Sequence, residues 1–155
     1  MLESRGDYDI GVTACRRADR TGYVLKLAPH RLGVVKQLPA KDGQGQPVAQ
    51  SARLLLEPVQ AQVRLDDVPA AQWWYTLKLR VQRVAGGVSV AGKVWRADRD
   101  EPLGWQVVWT DTGDGGVGPL VGGLAGCQVS GAKVQIDNFA VTRNEAPRDA
   151  FAALK

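Results

Sequence analysis

Trp73-Trp74-Tyr75-Thr76-Leu77-Lys78-Leu79-Arg80-Val81-Gln82 is followed, after Ala85-Gly86-Gly87, by Val88-Ser89-Val90-Ala91-Gly92-Lys93-Val94-Trp95. In the first run Trp73, Tyr75, Leu77, Leu79 and Val81 share one face, and Trp74, Thr76, Lys78, Arg80 and Gln82 share the other, because side chains alternate along a strand. That pattern predicts a half-buried strand. Glycine readily adopts the positive φ of a tight turn, so Gly86-Gly87 predicts an antiparallel hairpin with Leu79 opposite Val94. The same register sets Lys78 and Arg80 opposite Trp95 and Lys93 on the outer face. Beyond a polar connection, Arg96 to Gly104, Trp105, Val107 and Trp109 alternate again, which predicts a third strand and a core position for Trp105 and Trp109.

The rest of the chain reads as more short strands. Tyr8 to Cys15, Tyr23 to Leu27 and Leu32 to Leu38 predict a meander with turns at Arg16–Arg20 and Ala28-Pro29-His30. Lys41 to Pro47 is a polar loop tip, and Ala52 to Leu56 with Val59 to Leu65, split at Pro58, reads as two short strands or one bent one. Leu120 to Leu124 predicts a short strand and Ala132 to Thr142 the last one. There the alternation slips between Val134/Ile136 and Phe139/Val141, which predicts a β-bulge at Asp137-Asn138. With 155 residues and 18 glycines set between apolar runs, the fold class is all-β, a two-sheet antiparallel β-sandwich (jelly roll). The domain spans residues 1–143, and 144–155 form a tail or short helix starting near Pro147.

Composition narrows the function classes. The 20 Lys and Arg against 16 Asp and Glu give a net charge of +4, but the basic residues are scattered, which argues against nucleic acid. No run approaches the ~20 apolar residues of a membrane helix, and the N-terminal residues lack the apolar core of a secretion signal. Cys15 and Cys127 fit either two free thiols or one bridge between N- and C-terminal strands. His30 is the only histidine and has no nucleophile-elbow sequence to serve.

Gly22-Tyr23, Trp74-Tyr75-Thr76-Leu77-Lys78-Leu79, Lys93-Val94-Trp95, Glu101-Pro102 before Trp105, Asp111, Gly122-Gly123-Leu124 and Ile136-Asp137-Asn138-Phe139-Ala140-Val141 follow one another in an order with a known counterpart. The pattern resembles the concanavalin A-like lectin/glucanase superfamily, in its laminin-G-like jelly-roll modules, over roughly residues 7 to 143. The resemblance implies a carbohydrate-binding or adhesion module, extracellular or at a cell surface, whose partners are carbohydrate or a neighbouring protein domain. Such modules open with one or two strands ahead of the one near Tyr8, so it also implies either a module cut from a longer chain or a reading frame started late. The Glu-x-Asp-x-(x)-Glu strand of the superfamily's glucanases is missing here, so no catalytic residue is carried over.

Three candidate sites remain. Retaining glycosidases set two carboxyls about 5 Å apart. Asp98, Asp100 and Glu101 are the nearest cluster, but they lie in an arginine-rich turn. Laminin-G-like modules often hold calcium with loop oxygens, which singles out Asp111, Asp114, Asp137 and Asn138, although the shaping of a glycine turn by Asp111 and Asp114 and of the bulge by Asp137-Asn138 is the favoured explanation. The outer hairpin face, Trp74, Lys78, Arg80, Lys93 and Trp95, combines ring faces with hydrogen-bond donors and suits a sugar. A structural docking module and an atypical glycoside hydrolase are the rival readings.

Overall fold

The structure is a computed structural model that describes residues 2–39, 44, 55–56, 59–66, 73–113 and 117–144; for 2–7 and 55–56 it describes the backbone alone. Among the described residues nine strands follow in order: β1 (Leu2–Arg16), β2 (Gly22–Ala28), β3 (Arg31–Pro39), β4 (Leu55–Leu56), β5 (Val59–Arg64), β6 (Tyr75–Val84), β7 (Gly87–Arg96), β8 (Val107–Asp111) and β9 (Leu124–Val134). They form two antiparallel sheets. The larger runs β4-β3-β2-β1-β9, with β5 also paired to β3, and the smaller runs β6-β7-β8. β4 and β5 therefore share one edge of β3, β4 opposite Leu38 and Pro39 and β5 opposite Arg31 to Val35. Of the two alternatives in the sequence, the structure shows the two short strands. The loop tip at 41–47 (Gln44 apart), residues 52–54, Asp114 and the C-terminal helix expectation lie outside the described residues.

The all-β two-sheet sandwich is as the alternation predicts. The spatial order β9-β1-β2-β3 is three hairpin-connected strands closed by a later strand beside the first, one Greek-key return. A jelly roll has two such returns, whereas the smaller sheet is a simple meander. Three strand placements differ from the sequence expectation, the first being that residues 120–123 form no strand. β1 begins at Leu2 and is paired on both sides, so it is not an edge. The last strand is β9, and residues 135–144 form no ladder. The slip at Asp137-Asn138 is nevertheless a backbone feature: Asn138 sits at φ 54 and donates its N–H to Asp137 Oδ1 at 2.8 Å. β1 imposes the strand on a glycine-rich segment whose own propensity for it is weak.

The core lies between the sheets. Tyr23, Leu25 and Leu27 of β2 and Leu32 and Val34 of β3 face Val88, Val90 and Val94 of β7, Val107 of β8 and Leu120. Gly92 lets the sheets approach here, because a Cβ on it would overlap Leu25 Cδ1. Trp109 joins the core as expected, edge-on to Tyr23 with centroids 6.2 Å apart.

Two charges share this core. Lys36 is in register with Tyr23, and Asp111 with Val88, so both point inward. They meet: Lys36 Nζ lies 2.7 Å from Asp111 Oδ2, with side chains 3% and 1% exposed. The ammonium also donates to Val117 O at 2.7 Å, while the Tyr23 hydroxyl donates to Asp111 Oδ2 at 2.7 Å and accepts from Leu120 N at 2.8 Å. Asp111 Oδ1 accepts from Gly113 N at 2.9 Å. Burial alone pushes the Asp111 carboxyl up, but Lys36, Tyr23 and Gly113 outweigh it and hold the group below the usual carboxylate range. Burial and then the Asp111 hydrogen bond push the Tyr23 phenol above its ordinary range.

Breaking one half of this pair strands the other charge. Lys36→Met should lower unfolding stability by ~3–5 kcal/mol, and Lys36→Met/Asp111→Leu should recover most of that loss. Urea unfolding followed by tryptophan fluorescence measures both; equal losses in the single and double variants would refute the role of the pair. Linkage adds a pH signature. The depressed Asp111 group stabilises above its unfolded pKa of about 3.9, and that contribution is lost as pH falls through the lower folded value. The raised Tyr23 group stabilises below about pH 10, and its contribution is lost as pH rises through the folded value. Tyr23→Phe should flatten the alkaline limb of the stability curve.

Candidate functional site

The outer face of the β6–β7 hairpin carries the sugar-site candidates, in a register different from the sequence expectation. Ala85 and Gly86, at φ 82, form the two-residue loop, so Leu77 rather than Leu79 lies opposite Val94. Thr76 pairs with Trp95, Lys78 with Lys93 and Arg80 with Ala91. The shift is two residues, and an even shift keeps every side chain on its face. Trp74, Thr76, Lys78, Arg80, Lys93 and Trp95 therefore remain on one surface.

Two ammonium groups directly opposite each other should repel. Glu101 resolves this, because its Oε1 lies 2.7 Å from Lys78 Nζ and 2.8 Å from Lys93 Nζ. Hydrogen bonds from Lys78 and then Lys93 hold the Glu101 carboxyl below its ordinary range. The loop that brings Glu101 there is itself tied down. Ala97 N donates to Trp74 O, Arg99 N to Arg96 O, and Arg96 grips Asp98 through Nε at 2.9 Å and Nη2 at 2.6 Å while stacking on Trp73 at 3.7 Å. Lys93 ends up 4% exposed beneath it, its Nζ also donating to Pro102 O at 2.6 Å.

Trp105 completes this cover, which corrects its expected core position. The Gln106 backbone N–H donates to Gly92 O, and its side-chain Oε1 accepts from Val94 N at 2.7 Å. Gln106 thus extends the ladder with its own side chain, the regular alternation stops before Trp105, and the indole turns outward. There it meets Lys93 Nζ at 4.9 Å and the Arg80 guanidinium at 4.5 Å, while Lys93 Nζ also lies 5.8 Å from Trp95. Trp74 is 49% exposed and Trp95 partly buried, with Thr76 and Lys78 exposed beside them. Of the five candidates, Lys93 is a buried organiser, and the accessible surface is Trp74, Thr76, Lys78, Arg80, Trp95 and Trp105. Nothing in the local sequence distinguishes Trp105 from Trp109; the signal for Lys36 and Asp111 was two opposite charges on inward parity.

The described calcium candidates, Asp111, Asp137 and Asn138, are not brought together. Asp111 is occupied by Lys36, so a cation would meet an ammonium. It also sits with Tyr23, near the Leu124 end of β9, whereas Asp137 and Asn138 follow the Val134 end, on the order of 30 Å away for an 11-residue strand. Among the described residues no group of three His, Cys, Asp or Glu could hold a metal ion. The cysteines are free: Cys127 lies opposite Val12, three residues short of Cys15, and burial raises both thiols above their ordinary pKa. In the acidic loop Asp98 and Glu101 are both shifted down, by Arg96 and by Lys78 with Lys93, the wrong direction for a proton donor at neutral pH.

Removing the Lys93 ammonium should release the loop while leaving the core closed. In Lys93→Met, amide exchange across 97–106 should accelerate on the order of tenfold, with β2 and β3 unchanged. Hydrogen-exchange mass spectrometry reads this, and unchanged loop protection would show that Trp105 packing alone holds the cover.

Comparison of the chain with models of known protein families, with curated proteins and with solved structures found no match.

Proposed function

We propose that the protein is a non-catalytic carbohydrate-binding or adhesion module, and that the outer face of the β6–β7 hairpin contacts the sugar. The observation that carries this reading is the row of Trp74, Trp95 and Trp105 rings beside the Thr76 hydroxyl and the Lys78 and Arg80 donors on one sheet face. Pyranose rings present apolar C–H faces edged by hydroxyls, and rings flanked by donors complement both. The Lys93–Glu101 anchor supports it further, because a site held in place before binding loses less entropy on association. The order of residues that resembles concanavalin A-like modules adds to the reading. Against an atypical glycosidase stand the downward shifts of Asp98 and Glu101.

A second reading, a structural module that docks on a neighbouring protein domain, draws on a different surface. Among the described strands β9 lies at the sheet edge, with Leu124 76% exposed, and Ile136, Phe139 and Val141 beyond it are also exposed. Long edges of this kind accept partners.

A glycan array with and without calcium separates the readings. The protein should bind a subset of glycans independently of calcium, and a folded Trp74→Ala/Trp95→Ala variant should lose at least about tenfold in affinity, as removal of interface aromatics commonly does. Absence of binding by the folded protein would leave the docking module. Calcium dependence would return attention to the carboxylates.

A further inference from the structure

Arg80 stands apart from the neighbouring cations of the hairpin. Lys78 and Lys93 share Glu101, and Arg96 holds Asp98, but among the described residues no carboxylate pairs with Arg80. Its guanidinium lies over the Trp105 ring at 4.5 Å, and its Nε is buried without a hydrogen-bond partner. Nε is thus closed to a ligand, and the Nη groups, neither of which is a buried unpartnered atom, are the donors Arg80 can offer one. Counting charges on the face, Lys78, Arg80 and Lys93 stand against Glu101 alone.

Resting on the sugar-binding reading, we infer that the ligand is an acidic glycan whose anionic group is taken by Arg80, with the neighbouring ring seated toward Trp95 and Trp74. The fork of a guanidinium fits a carboxylate or a sulfate ester with two parallel N–H donors, and the Trp105 ring 4.5 Å from Arg80 Cζ holds it on this face beforehand. Lys78 is the second contact. It is half exposed and tied only to an exposed carboxylate, so it can exchange Glu101 for the ligand. Lys93 cannot do so, since it is buried under the loop and serves to place Trp95 and Trp105. Thr76 and Arg80 lie four residues apart on one face, about 13 Å, which spaces the ring platform and the cation for an oligosaccharide rather than a single sugar.

The test is an array of oligosaccharides in matched triplets on several backbones: the uronic acid form, its carboxyl-reduced neutral form, and a sulfated neutral form. At low salt the intact protein should bind at least one acidic form at least tenfold more tightly than its neutral counterpart, and raising the salt should shrink that ratio. Preference for the uronate over the sulfate, or the reverse, identifies the anion. Arg80→Gln should bring the acid-to-neutral ratio close to one, while Lys133→Gln, which removes an equal charge from β9, should leave it unchanged. Equal binding of acidic and neutral forms, lost in Trp74→Ala/Trp95→Ala, would overturn this inference and leave the sugar face standing. No binding of any form by the folded protein would overturn both. An acid preference that survives Arg80→Gln but falls with Lys133→Gln would show a diffuse charge effect and also overturn it.

Discussion

The ion pair of Lys36 with Asp111, completed by the Tyr23 hydroxyl, ties the two sheets to one another at one end of the core. The apolar contacts around it contribute more in sum, at roughly 1.5–3 kcal/mol for each fully buried large side chain. Those contacts are non-directional, however, and valines on facing sheets tolerate sliding. A buried ammonium and carboxylate do not, because any other alignment leaves each without its partner in a dry interior, a penalty of several kcal/mol. The pair's net contribution to stability is therefore modest, and its main effect is to select one alignment. Val117 and Gly118, through their carbonyls, and Leu120 and Gly113, through their N–H groups, are drawn into the same network, so the connection after β8 is organised by it as well.

A second polar cluster uses the same ingredients for a different end. On the outer face, Lys93 is buried not between sheets but beneath a loop, and Glu101 neutralises two lysines that the hairpin register sets opposite each other. The consequence is positional. The loop is pulled onto the sheet, Trp105 is laid across Lys93 and Arg80, and a strand face that would have been a row of loose cations becomes a surface of rings with directed donors. The first cluster sets how the sheets meet, and that alignment gives the second a rigid floor.

The sheets are unequal, and this leaves one flank different from the rest. β6 lies over β1 and β2, and β7 and β8 lie over β3, while β9 has β1 as its extensive neighbour among the described strands. Val129 and Cys127 share the inward parity of Ile10 and Val12 through the β1–β9 register, yet both are exposed. The sandwich is thus closed around Tyr23, Leu25 and Val90 and open along β9, which keeps the hairpin face and the β9 edge as separate surfaces.

What the sequence determined by itself was everything that follows from a period of two. The strands around Tyr23, Leu32, Tyr75 and Val90, the inward and outward faces of the hairpin, the turns at Arg16–Arg20 and Pro29-His30, and the presence of a hairpin turn within Ala85-Gly86-Gly87 were legible because each depends on neighbours within a few residues. Even the register error was harmless to the candidate site, since a two-residue shift preserves facing. The tertiary structure alone decided three things. It placed the last strand at Leu124–Val134 by supplying β1 as its partner, turned Trp105 outward once the ladder ended at Gln106, and joined Lys36 and Tyr23 to Asp111, residues on different sheets. Local alternation records which face a side chain occupies. It holds no information about what stands opposite that face, and charges in a core and rings on a platform acquire their roles only from what stands opposite.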